Sequence, residues 1–156
     1  MRVSGAGGFV AISAEGFAAL RAGDGLLGVG ARWDVLQLSG DAAVTNFETQ
    51  TVGASVSVAR RLDIGPGTVD LGVSPRLVSE TQSFTTTTEI SGSQTDVRLG
   101  AFGRATLGHG GWRPYVVLDA EVSPARVRRD IRIDPSLPSL PSWSTCVGVG
   151  IAWAPP

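Results

Sequence analysis

The stretch GSQTDVRLGAFGRATLGHGGWRPYVVLDAEV, Gly92 to Val122, holds two alternating runs joined by Gly108-His109-Gly110-Gly111. In the first run Val97, Leu99, Ala101, Ala105 and Leu107 share one parity, while Asp96, Arg98, Gly100, Arg104 and Thr106 hold the other. In the second, Trp112, Val116, Leu118, Ala120 and Val122 oppose Arg113, Tyr115, Asp119 and Glu121. A period of two over runs this long means β-strands with one apolar and one polar face, here folded into a long hairpin. Strands of roughly 9–11 residues are what a tilted β-strand needs to cross a bilayer, whereas strands of soluble proteins commonly run to about 5–6.

Working outward, the same alternation recurs along the chain. A first strand is predicted over Val3 to Ala14, followed by a loop from Glu15 to Gly25 in which Phe17 to Arg21 suits one helical turn. A second strand carries Leu27, Val29, Ala31 and Trp33 opposite Gly28, Gly30 and Arg32. The apolar parity switches between Trp33 and Leu36, so a tight turn near Trp33-Asp34 is expected, leading to a third strand with Leu36, Leu38, Ala42 and Val44. One long strand from Leu26 to Val44 is the alternative. Asn46 to Thr51 reads as a polar connection, and Val52, Ala54, Val56 and Val58 as the fourth strand. Asp63-Ile64-Gly65-Pro66-Gly67 is a strong turn signal, because Pro fixes φ and Gly permits positive φ. The fifth strand runs through Val69, Leu71, Val73 and Leu77, and its Pro75, which lacks a ladder donor, is expected near a rim. Glu80 to Ser91 has no apolar face and reads as a hairpin tip in water. After the hairpin of strands six and seven, a Pro- and Arg-rich link from Arg126 to Ser142 leads to the cleanest strand, Trp143 to Trp153.

The expected fold is therefore all-β, an antiparallel up-and-down β-barrel of about eight strands in a single domain spanning 1–156. Gly at 21 and Pro at 9 against one Met favour turns and strands over helices. A net charge of -1 argues against general nucleic-acid binding, which needs a basic face. All 13 basic residues are Arg, which suits bidentate pairing with carboxylates or phosphates. Cys146 lacks a disulfide partner and fits a structural role beside Ser144, Gly148 and Gly150. No stretch approaches the ~20 apolar residues of a membrane helix. The first, fifth and last links look long and those near Asp34, Gly65 and His109 short, the asymmetry of outer-membrane barrels.

Both membrane and soluble barrels alternate, so the choice rests on what each face carries. Trp33, Trp112, Trp143 and Trp153 fall on the apolar parity at strand ends, the placement of an interfacial aromatic girdle. The polar parity presents Arg32, Arg76, Arg98, Arg104 and Arg113 with Asp41, Asp70, Asp96, Asp119 and Glu121, a balanced set able to pair with itself inside a narrow lumen. The inward glycines, Gly28, Gly30, Gly53, Gly72, Gly100, Gly148 and Gly150, let a small barrel coil tightly.

In pattern more than in motif, Val3 to Trp153 resembles the small outer-membrane barrels of the OmpA and OmpX kind. That resemblance implies the outer membrane of a Gram-negative cell envelope, lipid and lipopolysaccharide as surroundings, and the barrel assembly machinery as a partner. Members usually end on an aromatic residue, whereas here Trp153 is followed by Ala154-Pro155-Pro156. An outer-membrane protein needs a leader, so Met1 is expected to replace a removed leader or an upstream region.

Chemistry is sparse. Lipid-modifying barrels pair a His with Ser and an acid, but His109 lies in a Gly-rich turn with no carboxylate nearby in sequence. One Cys and one His do not make a zinc set, and Asp130 and Asp134 lack EF-hand spacing. No phosphate loop precedes a helix. The expectation is a barrel without enzymatic activity, cofactor or metal, either structural or surface-binding. Arg126, Arg128, Arg129 and Arg132 form a candidate anion-binding loop for lipopolysaccharide phosphates. The competing reading is a soluble up-and-down barrel that binds an apolar small ligand in its interior.

Overall fold

Alternation dictates every element, and the described residues form strands and turns without a helix. A computed structural model describes residues 2–6, 9–38, 46–85, 89–108, 110–124 and 142–155. The strands are β1 (Arg2–Ala6), β2 (Phe9–Ala22), β3 (Gly25–Leu38), β4 (Asn46–Ile64), β5 (Gly67–Thr85), β6 (Glu89–Leu107), β7 (Gly111–Val122) and β8 (Trp143–Ala154). Each pairs antiparallel with its neighbours in sequence, giving an all-β up-and-down sheet. β1 also pairs with β8, with Arg2 opposite Gly148 and Gly5 opposite Thr145. The sheet is thus curled, with a concave and a convex face.

Three tight turns lie on one edge of this sheet. Gly23 and Asp24 join β2 to β3, Gly65 and Pro66 join β4 to β5, and the Gly108 to Gly110 turn joins β6 to β7. Gly23, Gly65, Gly108 and Gly110 adopt positive φ of 60°, 55°, 87° and 69°, a region that residues with a Cβ rarely enter. The Gly108 amide donates to the Pro66 carbonyl at 2.7 Å, bracing two adjacent turns, and the Arg61 amide of β4 donates to the Asp24 carbonyl at 2.7 Å, tying the β2–β3 turn to the next strand. The end of β8 lies on this same edge, with Ala154 opposite Gly111, whereas Arg2 at the start of β1 lies opposite Ser13 and Gly148, partway along their strands. The links at 39–45, 86–88 and 125–141 leave from the opposite edge, beyond which β4, β5 and β6 extend furthest.

Several sequence expectations need correction. The predicted strand Val3 to Ala14 is two strands, β1 and β2, and β2 continues through the expected loop to Ala22. Phe17 to Arg21 is extended rather than helical, because each residue from Ala11 to Ala22 has a partner in β3. Conversely, no turn occurs at Trp33-Asp34. Trp33 lies opposite both Ala14 and Val52, and β3 runs through to Leu38. Reading two strands as one and one strand as two are errors that offset each other. Asn46 to Thr51 belongs to β4, and Glu80 to Thr85 and Glu89 to Ser91 belong to β5 and β6. Those segments lack an apolar face, yet each of their residues has a partner in at least one neighbouring strand, since a ladder needs backbone partners and not a greasy side.

Pro75 lies mid-strand opposite Leu99, not at a rim. The register of β5 with β6 is unbroken there, whereas pairing with β4 passes from Ser55↔Arg76 to Val58↔Val73. The lost donor therefore falls on the β4 side, where the ladder opens locally.

The two faces invert the usual order of a globular protein. Ile12, Leu27, Val29, Val52, Val56, Leu71, Leu77, Leu99, Leu118, Val147 and Ile151 are all exposed on the convex face. Arg32, Asp70, Arg76, Glu80, Asp96, Arg98, Arg113 and Glu121 are buried on the concave face. Among the described residues, the buried apolar set is only Leu26, Ala59, Val78, Val117 and Cys146.

Candidate functional site

Strand β7 shows how alternation builds the interior. Arg113, Tyr115, Val117, Asp119 and Glu121 take every second position and turn inward, while Trp112, Val116, Leu118, Ala120 and Val122 are exposed. On β6, Asp96, Arg98, Gly100, Arg104 and Thr106 repeat this order, and on β5 Asp70, Ser74, Arg76, Val78 and Glu80 do so.

Glu121 is the hub of a charged knot. Its Oε1 accepts from Arg32 Nη2 at 2.9 Å, Arg98 Nη1 at 3.0 Å and Ser144 Oγ at 3.1 Å. Its Oε2 accepts from Arg32 Nη1 at 3.3 Å and from Arg76 Nη1. β3 and β7 stand four strands apart in the sheet order, so the Arg32 to Glu121 contact reaches across the interior. Each arginine is also held from a second side. Arg32 Nε lies 2.7 Å from Asp34, Arg98 donates to Glu80 at 2.8 Å and to Asp96 at 3.4 Å, and Arg76 faces Glu15 at 3.8 Å. Ser123 Oγ donates to Asp96 at 2.8 Å and Gln94 Nε2 to Glu80 at 3.4 Å. Guanidinium groups suit this work because five donors on a rigid plane can serve two carboxylates at once.

A second layer lies nearer the edge with the tight turns. Arg104 stacks on Phe17, its Cζ 3.6 Å from the ring centroid, with Tyr115 at 5.4 Å and Phe102 at 5.5 Å. Phe17 and Tyr115 meet edge to face at 5.8 Å and 79°. This geometry places positive charge over the negative faces of aromatic rings. β2 and β6 are also four strands apart, so this contact too reaches across the interior. Inward glycines make the room. A Cβ on Gly150 would sit 2.5 Å from the Tyr115 ring, and one on Gly72 would sit 2.8 Å from Phe102. Because Tyr115 is pinned by Phe17 and Arg104, Gly150→Ala is expected to lower stability by about 1–3 kcal/mol, the cost of an overpacked site. Denaturant unfolding followed by tryptophan fluorescence measures this, and an unchanged midpoint would show that the ring is free to move.

Below this layer Arg61 grips Asp70 through two bonds of 2.7 and 2.9 Å. Between the knot and the aromatic layer lies a cavity bordered by Glu15, Ser55, Ser74, Arg76 and Asp119, with about 20 Å³ of room for water. A single water needs roughly 10–15 Å³ on that measure, so the cavity suits solvent rather than a ligand.

Of the residues expected in the lumen network, Arg32, Asp70, Arg76, Asp96, Arg98, Arg113 and Glu121 are buried, and Arg104 and Asp119 are half-buried beside them. Asp41, His109 and the arginines Arg126, Arg128, Arg129 and Arg132 lie outside the described residues. Sequence reasoning missed Glu15, Asp34, Arg61 and Glu80. Extending the parity of Arg76 and Val78 one step would have found Glu80, just as extending that of Arg32 would have found Asp34. Trp33, Trp112, Trp143 and Trp153 are all exposed, at 50%, 76%, 53% and 60%.

No protein-family model, curated protein or solved structure matches this chain.

Proposed function

We propose that this chain is a closed, eight-stranded β-barrel of the bacterial outer membrane, non-enzymatic, with a structural or surface-binding role and a lumen plugged by its own side chains. The observation that carries this reading is the inverted polarity, with charge inside and valine, leucine and tryptophan outside. Fully burying one such side chain is worth about 1.5–3 kcal/mol, so a convex face covered with them strongly favours hydrocarbon over water. Pairing of β1 with both β2 and β8 supports closure.

The height of the apolar face supports the same reading. Trp112 and Trp153 lie opposite each other near the tight-turn edge, while Trp143 lies opposite Val122 towards the other edge. Ten residues along β8 separate Trp143 from Trp153. At about 3.3 Å per residue and a tilt near 40°, that separation spans roughly 25 Å, the height of an outer-membrane apolar band. Past the band the outward residues of β4, β5 and β6 become Gln50, Ser79, Thr81, Ser93 and Thr95, still in strand but polar. Short turns then face the periplasm and the longer extensions face outward, towards lipopolysaccharide. The expected surroundings are outer-membrane lipid, with delivery by the barrel assembly machinery, as in the OmpA and OmpX kind. The cavity between the two layers, with room for about one water and charged Glu15, Arg76, Arg104 and Asp119 among its lining, fits this reading better than a carrier of apolar ligands.

The test is reconstitution. In vesicles containing lipids brominated in the acyl chains, tryptophan fluorescence is expected to be strongly quenched, because all four indoles face outward. Folded protein is also expected to migrate faster on a gel before heating than after. A stable aqueous monomer with unquenched fluorescence would overturn the proposal.

A further inference from the structure

The two cross-interior contacts occupy different levels. On β7, Glu121 and Tyr115 are six residues apart on the same face, as are Arg98 and Arg104 on β6. That spacing corresponds to roughly 20 Å along a strand. The knot joins β3, β5, β6 and β7 through Arg32, Arg76, Arg98 and Glu121. The aromatic layer joins β2, β6 and β7 through Phe17, Arg104 and Tyr115. Both reach between strands four apart, and the water-sized cavity lies between them.

We propose that the interior is closed to ions at two independent levels, and that the Arg104 aromatic clamp stays shut when the Glu121 knot is broken. The inference rests on the membrane-barrel reading. The two barriers differ in chemistry. Charge at the knot can be hydrated and carried by water if a partner is lost, whereas Arg104 is flanked by the rings of Phe17, Phe102 and Tyr115, which offer an ion no carboxylate in place of its water shell. A clamped cation facing the interior also repels cations at that level.

Cys146 is a built-in reporter between the two levels. It is buried on the inward face of β8 opposite Asp119, four residues from Gly150, which lies opposite Tyr115, and two from Ser144, which lies opposite Glu121.

The experiment refolds the full chain into vesicles, verifies insertion by the heat-dependent gel shift, then measures two things. Planar-bilayer recordings in potassium chloride report conduction, and a membrane-impermeant charged thiol reagent, supplied on both sides of the membrane, reports access to Cys146. Wild type is expected to be non-conducting, with Cys146 unreactive until the protein is denatured. Glu121→Ala and the pair Phe17→Ala with Arg104→Ala are each expected to make Cys146 reactive while conduction stays absent. The triple variant is expected to conduct steadily. Steady current from either set alone, a closed triple variant, or rapid labelling of Cys146 in the wild type would each overturn the two-level closure. Failure of the wild type to insert would instead overturn the membrane reading beneath it. Glu121→Gln, Phe17→Leu and Arg104→Gln form a milder set if the alanine variants fail to refold, and the wild-type labelling result decides without any variant.

Discussion

Leu118→Arg is expected to lower the folding stability of the chain in lipid by roughly 2–4 kcal/mol, the cost of an outward arginine near a bilayer midplane. Leu118 is 58% exposed, lies opposite Gly103 and Val147, and sits midway between Trp112 and Val122 on β7. Nothing in the protein itself opposes the substitution, because the side chain points away from every neighbouring strand. In water an exposed surface change of this kind falls within about ±0.5 kcal/mol. The medium therefore sets the sign and size of the effect. Reversible denaturant unfolding in vesicles measures it, with Ser93→Arg, outward but beyond the apolar band, as the near-neutral control. Equal small effects at both positions would remove the case for a membrane.

Glu121→Ala is expected to have a comparable or larger effect, for the opposite reason. Removing the carboxylate leaves Arg32, Arg76 and Arg98 buried around a vacancy, and breaking a buried ion pair typically costs about 3–5 kcal/mol. Glu121→Gln keeps the shape and accepts from one guanidinium while losing the charge, so its loss is expected to be smaller. Arg32→Ala combined with Glu121→Ala should be less damaging than the sum of the two, with an interaction of about 0.5–3 kcal/mol. Additive losses would mean that Arg32 and Glu121 do not act as a unit.

Most of the interior could be read in advance because parity is strictly conserved along a strand. Once Trp112, Leu118 and Val122 are placed on one face, Arg113, Tyr115, Asp119 and Glu121 must share the other. Strand limits were harder, since apolar parity fades where outward residues meet water. By its sequence Glu80 reads as part of a hairpin tip for want of greasy neighbours, yet it is 1% exposed and holds Arg98. At Trp33 the apparent parity switch suggested a turn where β3 in fact continues, because backbone pairing with β2 and β4 outweighs side-chain pattern.

Alternation by itself determined that the fold is all-β, that Arg32, Arg76, Arg98, Arg104 and Arg113 share one face with Asp70, Asp96, Asp119 and Glu121, and that the tryptophans share the other, because side chains of an extended chain must alternate. Which charges meet was decided only by the curled sheet. Arg32 and Glu121 are 89 residues apart, and the partnership of Phe17 with Arg104 joins strands four apart in the sheet order. Such pairings depend on strand register and on the narrowness of the interior, and both arise only when the whole sheet has formed.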